Sequence, residues 1–202
     1  MVSIKPEEMS ERDNYKFLIG SIIPRPIAIV STLSETGVVN IAPFSYFNIV
    51  TSNPPIVSVS IQRKSGEMKD TTRHLLSQKE GVIHIADETH LIDVNQTAAN
   101  LAENESELLR TQFTLGKADE VKVPIINELK IKMEVELFEH IPITDDKLVN
   151  ADLLLMKVKK YHIEDELYNE GRINPDLLKP VSRLAGNDYA TLGEKITIQR
   201  PD

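Results

Sequence analysis

The chain has 202 residues, 41% hydrophobic and 27% charged, enough for one sizeable core and the balance of a soluble globular protein, read here as a single domain over 1–202. The net charge of −8 excludes general affinity for nucleic-acid backbones, and the absence of cysteine excludes disulfides, thiolate nucleophiles, Cys-bound zinc and most iron–sulfur centres. No apolar run reaches the about 18 residues that suggest a membrane span, and the first residues, MVSIKPEEMSERDNYKF, lack the apolar stretch of a signal peptide, so a cytoplasmic protein is expected, with no membrane or nucleic-acid partner.

Residues 27–33, IAIVSTL, are apolar and β-branched and predict a strand, and SETG (34–37) predicts a hairpin turn. The next stretch, GVVNIAPFSYFNIV (37–50), begins and ends as a strand but carries Asn40, Pro43, Ser45 and Asn48 among its apolar residues. TSNPP (51–55) predicts a turn, and IVSVSI (56–61) alternates as a half-buried strand does. After a polar loop, DTTRHLLSQKEG predicts a helix with Asp70 or Thr71 as N-cap and Gly81 as its stop, followed by the strand VIHIA (82–86). LIDVNQTAANLA and ESELLRTQF have helical spacing, with Leu91, Val94, Ala98 and Leu101 on one side. LKIKMEVELFEHI (129–141) predicts a strand with Leu129, Ile131, Met133, Val135 and Leu137 on one face and Lys130, Lys132, Glu134 and Glu136 on the other. DLLLMKVKKYHI (152–163) is similar, and the tail alternates short extended pieces with Gly and Pro. Strands dominate, hairpins join them, and neither a βαβ rhythm nor G-x-G-x-x-G is present. The expected fold is mainly β, a small antiparallel or Greek-key barrel with peripheral helices.

Two stretches carry chemistry. MKDTTRHLL (68–76) sets a lysine, a capping acid and two threonines at a helix start, where unpaired N–H groups and the helix dipole receive an anion. Thr71 and Thr72 add hydroxyls, and Lys64, Lys69 and Arg73 add charge. The same residues also suit an ordinary N-cap with solvated charges. In the second stretch, backbone amides near Asn40, Ala42 and Ser45 can meet the edge of a flat heterocycle, and Phe44, Tyr46 and Phe47 can form its walls. Pro43 stops onward pairing and leaves backbone groups unused, although a bulged edge strand with buried aromatics reads the same way. The histidines lack metal-binding spacing; His84 reads as a satisfied core or interface residue and His74 as more solvent-exposed than ligand-facing. No G-x-S-x-G is present, and EEMSERD, ENESE and IEDE read as solvated faces or loops.

IGSIIPRPIAIVSTLSETGVVNIAPFSYFNIVTSNPPIVSVSI closely resembles the flavin reductase-like, FMN-binding split-barrel proteins, in particular their flavoredoxin-like branch. The matching positions are Arg25 to Ala28, Ser31 and Thr32, Gly37, Asn40, Ala42 to Ser45, Phe47, and Pro54 and Pro55. A K-D-T element follows at Lys69, Asp70 and Thr71, and a V-N-x-T element at Val94, Asn95 and Thr97. RLAGNDY (183–189) matches a C-terminal R-L-G-G-x-x-Y, with Ala185 in place of the first glycine, where a methyl group works against close backbone approach. The resemblance spans about residues 14–200. It implies a six-stranded Greek-key split β-barrel, a homodimer, and FMN near the subunit interface. It also implies that Thr32, Asn40, Ala42 and Ser45 line the isoalloxazine or ribityl chain, with Arg25, Ser31, Pro43 and Phe44 in the same contact set. Lys69 and Thr71 then hold the phosphate, Asp70 shapes the turn, and Arg183 and Tyr189 approach the flavin of either subunit. The implied activity passes electrons from a nicotinamide cofactor, NADH or NADPH, through FMN to a flavin or small electron carrier, with no protein acid, base or nucleophile required. The alternative is a split barrel that holds FMN or another heterocycle without turnover.

Overall fold

The computed structural model describes residues 1–102, 105–145 and 148–201. The β-branched run after Arg25 forms β1 (Ala28–Leu33), which turns at Ser34–Gly37 into β2 (Val39–Phe44). Gly37 takes φ 87 there, a conformation that suits glycine, and donates its N–H to the Ser34 carbonyl at 3.1 Å. The chain then forms β3 (Phe47–Ser52), β4 (Pro55–Gln62), β5 (Glu80–Ile85), β6 (Ile131–Asp145) and β7 (Leu148–Ile163). All pair antiparallel in one seven-stranded sheet of order β2-β1-β5-β6-β7-β4-β3.

That order puts β2 and β3 on opposite edges, yet only Ser45 and Tyr46 separate them in sequence. The sheet therefore curls until its edges lie a two-residue step apart, and the chain rather than a hydrogen-bonded ladder bridges the seam. Six chain segments supply the seven strands, because the single stretch 39–52 is split at this seam.

One apolar cluster gathers Ala28, Val30, Val59, Ile83, Val135, Leu154 and Met156. Helix α2 (Asp70–Gln78) inserts Leu75 into it. Alternation sends Ile27, Ile29 and Ile41 into a second cluster, with Phe113, Ile126 and Val181 from later loops and strands. A further small sheet joins the two residues Arg25–Pro26 to β8 (Val181–Arg183) and β8 to β9 (Tyr189–Thr191).

Several expectations change. EEMSERD stays solvated as expected, and its second half is a helix face: the Ser10 hydroxyl accepts from Asp13 N–H and opens α1 (Glu11–Ser21). The N-cap of α2 is Lys69, with no side-chain cap, and Asp70 is its first residue. Lys79, at φ 64, ends that helix. Gly81 instead lies within β5, where a Cβ would sit 3.0 Å from the Leu75 side chain and 3.3 Å from the Ser31 carbonyl, so the glycine lets α2 seat against the sheet. LIDVNQTAANLA keeps its helix only over α3 (Leu91–Gln96), and Thr97, not Ala98, is buried after it. ESELLRTQF forms one 3₁₀ turn, Glu107–Arg110. Glu103 and Asn104 of ENESE lie outside the described residues; Glu107, its last residue, is buried rather than solvated.

The polar face of β6 is the largest correction. Lys132 and Glu134 are buried, and the segment after Ala118 folds over Glu134. The Glu134 carboxylate accepts the N–H groups of Asp119, Glu120 and Val121 at 2.9, 2.6 and 3.0 Å and meets His162 Nε2 at 2.5 Å. Burial pushes this carboxyl up, but these hydrogen bonds outweigh it and hold Glu134 below the usual range.

Candidate flavin site

The start of α2 lies beside β2, and this neighbourhood brings the two chemical stretches of the sequence together. Asn40 on β2 donates its amide to Thr71 Oγ1 at 3.0 Å and to Thr32 Oγ1 at 3.3 Å. Thr32 in turn meets His74 Nδ1 at 3.1 Å. His74 is thus buried inside the scaffold and not exposed as expected. Thr71 accepts from Asn40, so its own hydroxyl proton is available to a further acceptor.

Helix α2 has no side-chain hydrogen bond capping its first turn, which leaves its leading amides for a further acceptor beside Thr71, with Asp70 the one acid in that turn. Lys69 is exposed and stands 6.0 Å from the centre of the Phe44 ring. Asp70 is held by Arg73 at 2.9 Å, which reduces its repulsion of an approaching anion.

Two adjoining cavities share Pro43, Phe44 and Lys69. One, of about 250 Å³, also takes Asn40, Ala42, Asp70 and Thr71. The other, of about 240 Å³, takes Arg25, Ser45 and Arg183. Seam, helix start and C-terminal hairpin therefore form one continuous groove, and eleven predicted positions fall on it or on its hydrogen-bonded support: Arg25, Thr32, Asn40, Ala42, Pro43, Phe44, Ser45, Lys69, Asp70, Thr71 and Arg183. A wider cleft of about 870 Å³ opens beside the second cavity, between α1 and β4, and shares Tyr15, Arg25, Ser45, Tyr46, Ser60 and Gln62 with it.

Two predicted positions lie elsewhere. Ser31 points to the opposite face of β1 from Thr32, and its hydroxyl donates to the Pro124 carbonyl at 3.1 Å. Tyr189 lies outside both cavities; its hydroxyl donates to Asn95 Oδ1 at 3.1 Å, and the Arg183 guanidinium stacks 4.5 Å from its ring centre. Arg25 borders the groove, but its guanidinium is already engaged. It donates to the carbonyls of Ile19, Ile22 and Leu184 at 2.7, 2.5 and 2.7 Å and so ties the end of α1 to the C-terminal hairpin. Arg183 likewise donates to the Gly186 carbonyl at 2.5 Å.

The sequence reading missed Glu107, which lines the first cavity, and Tyr15, Ile19, Ser60 and Gln62, which line the second. The Ser10–Asp13 cap could have signalled α1, whereas nothing local distinguishes Glu107 from its solvated neighbours.

Residues 19–178 match the family model of the flavin reductase like domain. Over the full length of both chains, 204 aligned residues are 45% identical to the uncharacterized protein YwrF of Bacillus subtilis strain 168. The crystal structure of nitrilotriacetate monooxygenase component B from Bacillus cereus superposes with a TM-score of 0.96 at 48% identity, covering 98% of each chain. Flavoredoxin of Desulfovibrio vulgaris (Miyazaki F) shares the fold, with a TM-score of 0.73 at 19% identity over 87% of this chain and 90% of that one. The seam-split antiparallel sheet is thus the split barrel of these proteins, and the chain belongs to the flavin reductase-like family.

Proposed function

We propose that the protein binds FMN in the groove and acts as an oxidoreductase of the flavin reductase type, taking electrons from NADH or NADPH and passing them to a flavin or small electron carrier. The observation that carries this reading is the join between an uncapped helix start and an aromatic-walled seam within one groove. The α2 amides, Lys69 and the Thr71 hydroxyl suit a phosphate. Backbone groups at the seam, Ala42 to Ser45, suit the edge of a flat ring system, with Phe44 beside it. The residues present therefore fit FMN.

When bound, FMN supplies the hydride-accepting centre that a chain without cysteine lacks. The chain's own work is to hold the phosphate, fix the ring against the seam and keep one approach open. The wider cleft beside Ser45 and Tyr46 gives a second planar ligand that approach. Similarity to the component B of a monooxygenase supports a role as one member of a multi-component oxidation system. Exposed apolar residues on α1, at its C-terminal cap and on β3, including Phe17, Ile22 and Ile49, support a homodimer that covers this side of the molecule.

The test is to reconstitute the purified protein with FMN and titrate it anaerobically with NADH and NADPH while following flavin absorbance. Bleaching by either nicotinamide is expected. A yellow holoprotein bleached by neither would leave a binding module without turnover, and a protein that takes up no FMN would overturn the flavin reading itself.

A further inference from the structure

We infer that Glu107 reads the hydroxylated side chain of the flavin: its carboxylate accepts a hydrogen bond from that chain and sets the affinity for flavins that carry it. This rests on the flavin reading above and deepens it.

Glu107 opens the 3₁₀ turn Glu107–Arg110, and its carboxylate reaches the edge of β2, where Oε2 accepts the Ile41 N–H at 2.9 Å. The residue is only 6% exposed, yet it lines the first cavity together with Asn40, Thr71 and Lys69. A carboxylate offers about four acceptor positions, and two backbone amides, those of Ile41 and of Glu107 itself, use two of them. Among the described residues no cation is ion-paired with it. Burial, the largest influence, and the nearby Asp70 charge push the Glu107 carboxyl up against the two backbone hydrogen bonds it accepts.

Asn40 adds to the same pattern. Its amide donates to both Thr32 and Thr71, so the group it offers the cavity is its carbonyl oxygen, an acceptor. One cavity therefore has a donor-rich end, at Lys69, Thr71 and the α2 amides, and an acceptor-rich wall, at Asn40 and Glu107. A ligand anionic along its whole length would be repelled by Glu107. A wholly apolar one would bury the carboxylate with only its backbone hydrogen bonds. An anionic tip followed by hydroxyl groups satisfies both ends, and the side chain of FMN has that order.

The experiment titrates apoprotein with FMN, riboflavin and lumiflavin, which lacks the hydroxylated chain, by flavin fluorescence. Wild type is compared with Glu107→Gln, which removes the charge, and Glu107→Asp, which withdraws it by one methylene. Folding is followed by circular dichroism and thermal unfolding. Glu107→Gln should weaken FMN and riboflavin by a similar factor, about 10-fold for one lost hydrogen bond to a charged group, and leave lumiflavin unchanged. Glu107→Asp should show the same selectivity. Equal losses for all three flavins, no loss for any, or failure of both variants to fold would assign Glu107 to bracing the β2 edge and overturn the proposal. Wild-type protein that binds none of the three would instead remove the flavin reading.

Discussion

The phosphate end of the groove makes the sharpest test of a residue's role. Lys69 and Thr71 are read as partners of the charge that FMN carries and riboflavin lacks. The double variant Lys69→Ala, Thr71→Ala should therefore weaken FMN by about 10- to 100-fold, the worth of one or two charge-assisted hydrogen bonds, and riboflavin much less. Fluorescence titration with both ligands checks this, and equal losses would remove the phosphate assignment. Glu134 makes a test of a different kind, since it is far better satisfied than Glu107. Three backbone amides and His162 converge on it in a buried site. Glu134→Ala would leave those amides without an acceptor and should cost about 3 kcal/mol of stability or more, read as a lower urea midpoint. If the midpoint holds, the segment from Asp119 to Val121 finds solvent readily and the carboxylate is not what anchors it.

Among the elements, β5 and α2 are matched to each other at Gly81. Gly81→Ala would press a methyl against buried Leu75 and the Ser31 carbonyl and should destabilise by about 1–3 kcal/mol, with the shift seen in thermal unfolding. The same strand carries His84, fully buried between β1 and the Pro124–Ile126 segment. Its Nδ1 faces the Ile29 carbonyl at 3.1 Å, and its Nε2 accepts from Ile126 N–H at 2.9 Å. A carbonyl can only accept and an amide only donate, so this ring is neutral with its proton on Nδ1. Burial, first among its influences, lowers its pKa from 6.5 to about 3. Between those values the unfolded chain binds the proton and the folded chain does not. The contribution of His84 is thus complete above pH 6.5 and lost as the pH falls toward 3, by about 1.4 kcal/mol per pH unit. Urea unfolding from pH 7 to pH 4 should show this slope, and His84→Gln, although less stable at pH 7, should flatten it. An unchanged slope would place the acid sensitivity in other groups, the paired carboxylates of Glu134 and Asp152 first among them.

At the scale of the whole molecule, the groove exists because the sheet curls and fails to close. Exposed Ile49, on the edge strand β3, Phe17, on α1, and Ile22, just after it, border this open side. If two copies cover each other there, Ile49→Lys should shift the protein from dimer to monomer in analytical ultracentrifugation and weaken FMN binding together with association. A wild-type monomer at all concentrations would remove the homodimer.

Much of this was legible in the sequence. Strands follow from alternation, turns from Gly and Pro, and the groove residues from two motifs whose types already matched an anion and a flat ring: Asn40 to Ser45 and Lys69 to Thr71. The sequence also determined that any redox chemistry must reside in a bound group, since no cysteine is present. What only the tertiary structure decided is which polar residues face away from water. Ser31 and Thr32 are adjacent and chemically alike, yet the pleat sends one to Pro124 and the other to Asn40. Glu134 and Glu107 read as solvated acids because burial depends on distant segments, Asp119–Val121 and Ile41, that fold over or beside them. Periodicity reports which residues share a face of an element. Whether that face meets water, a loop or a ligand is fixed by contacts between segments far apart in the chain.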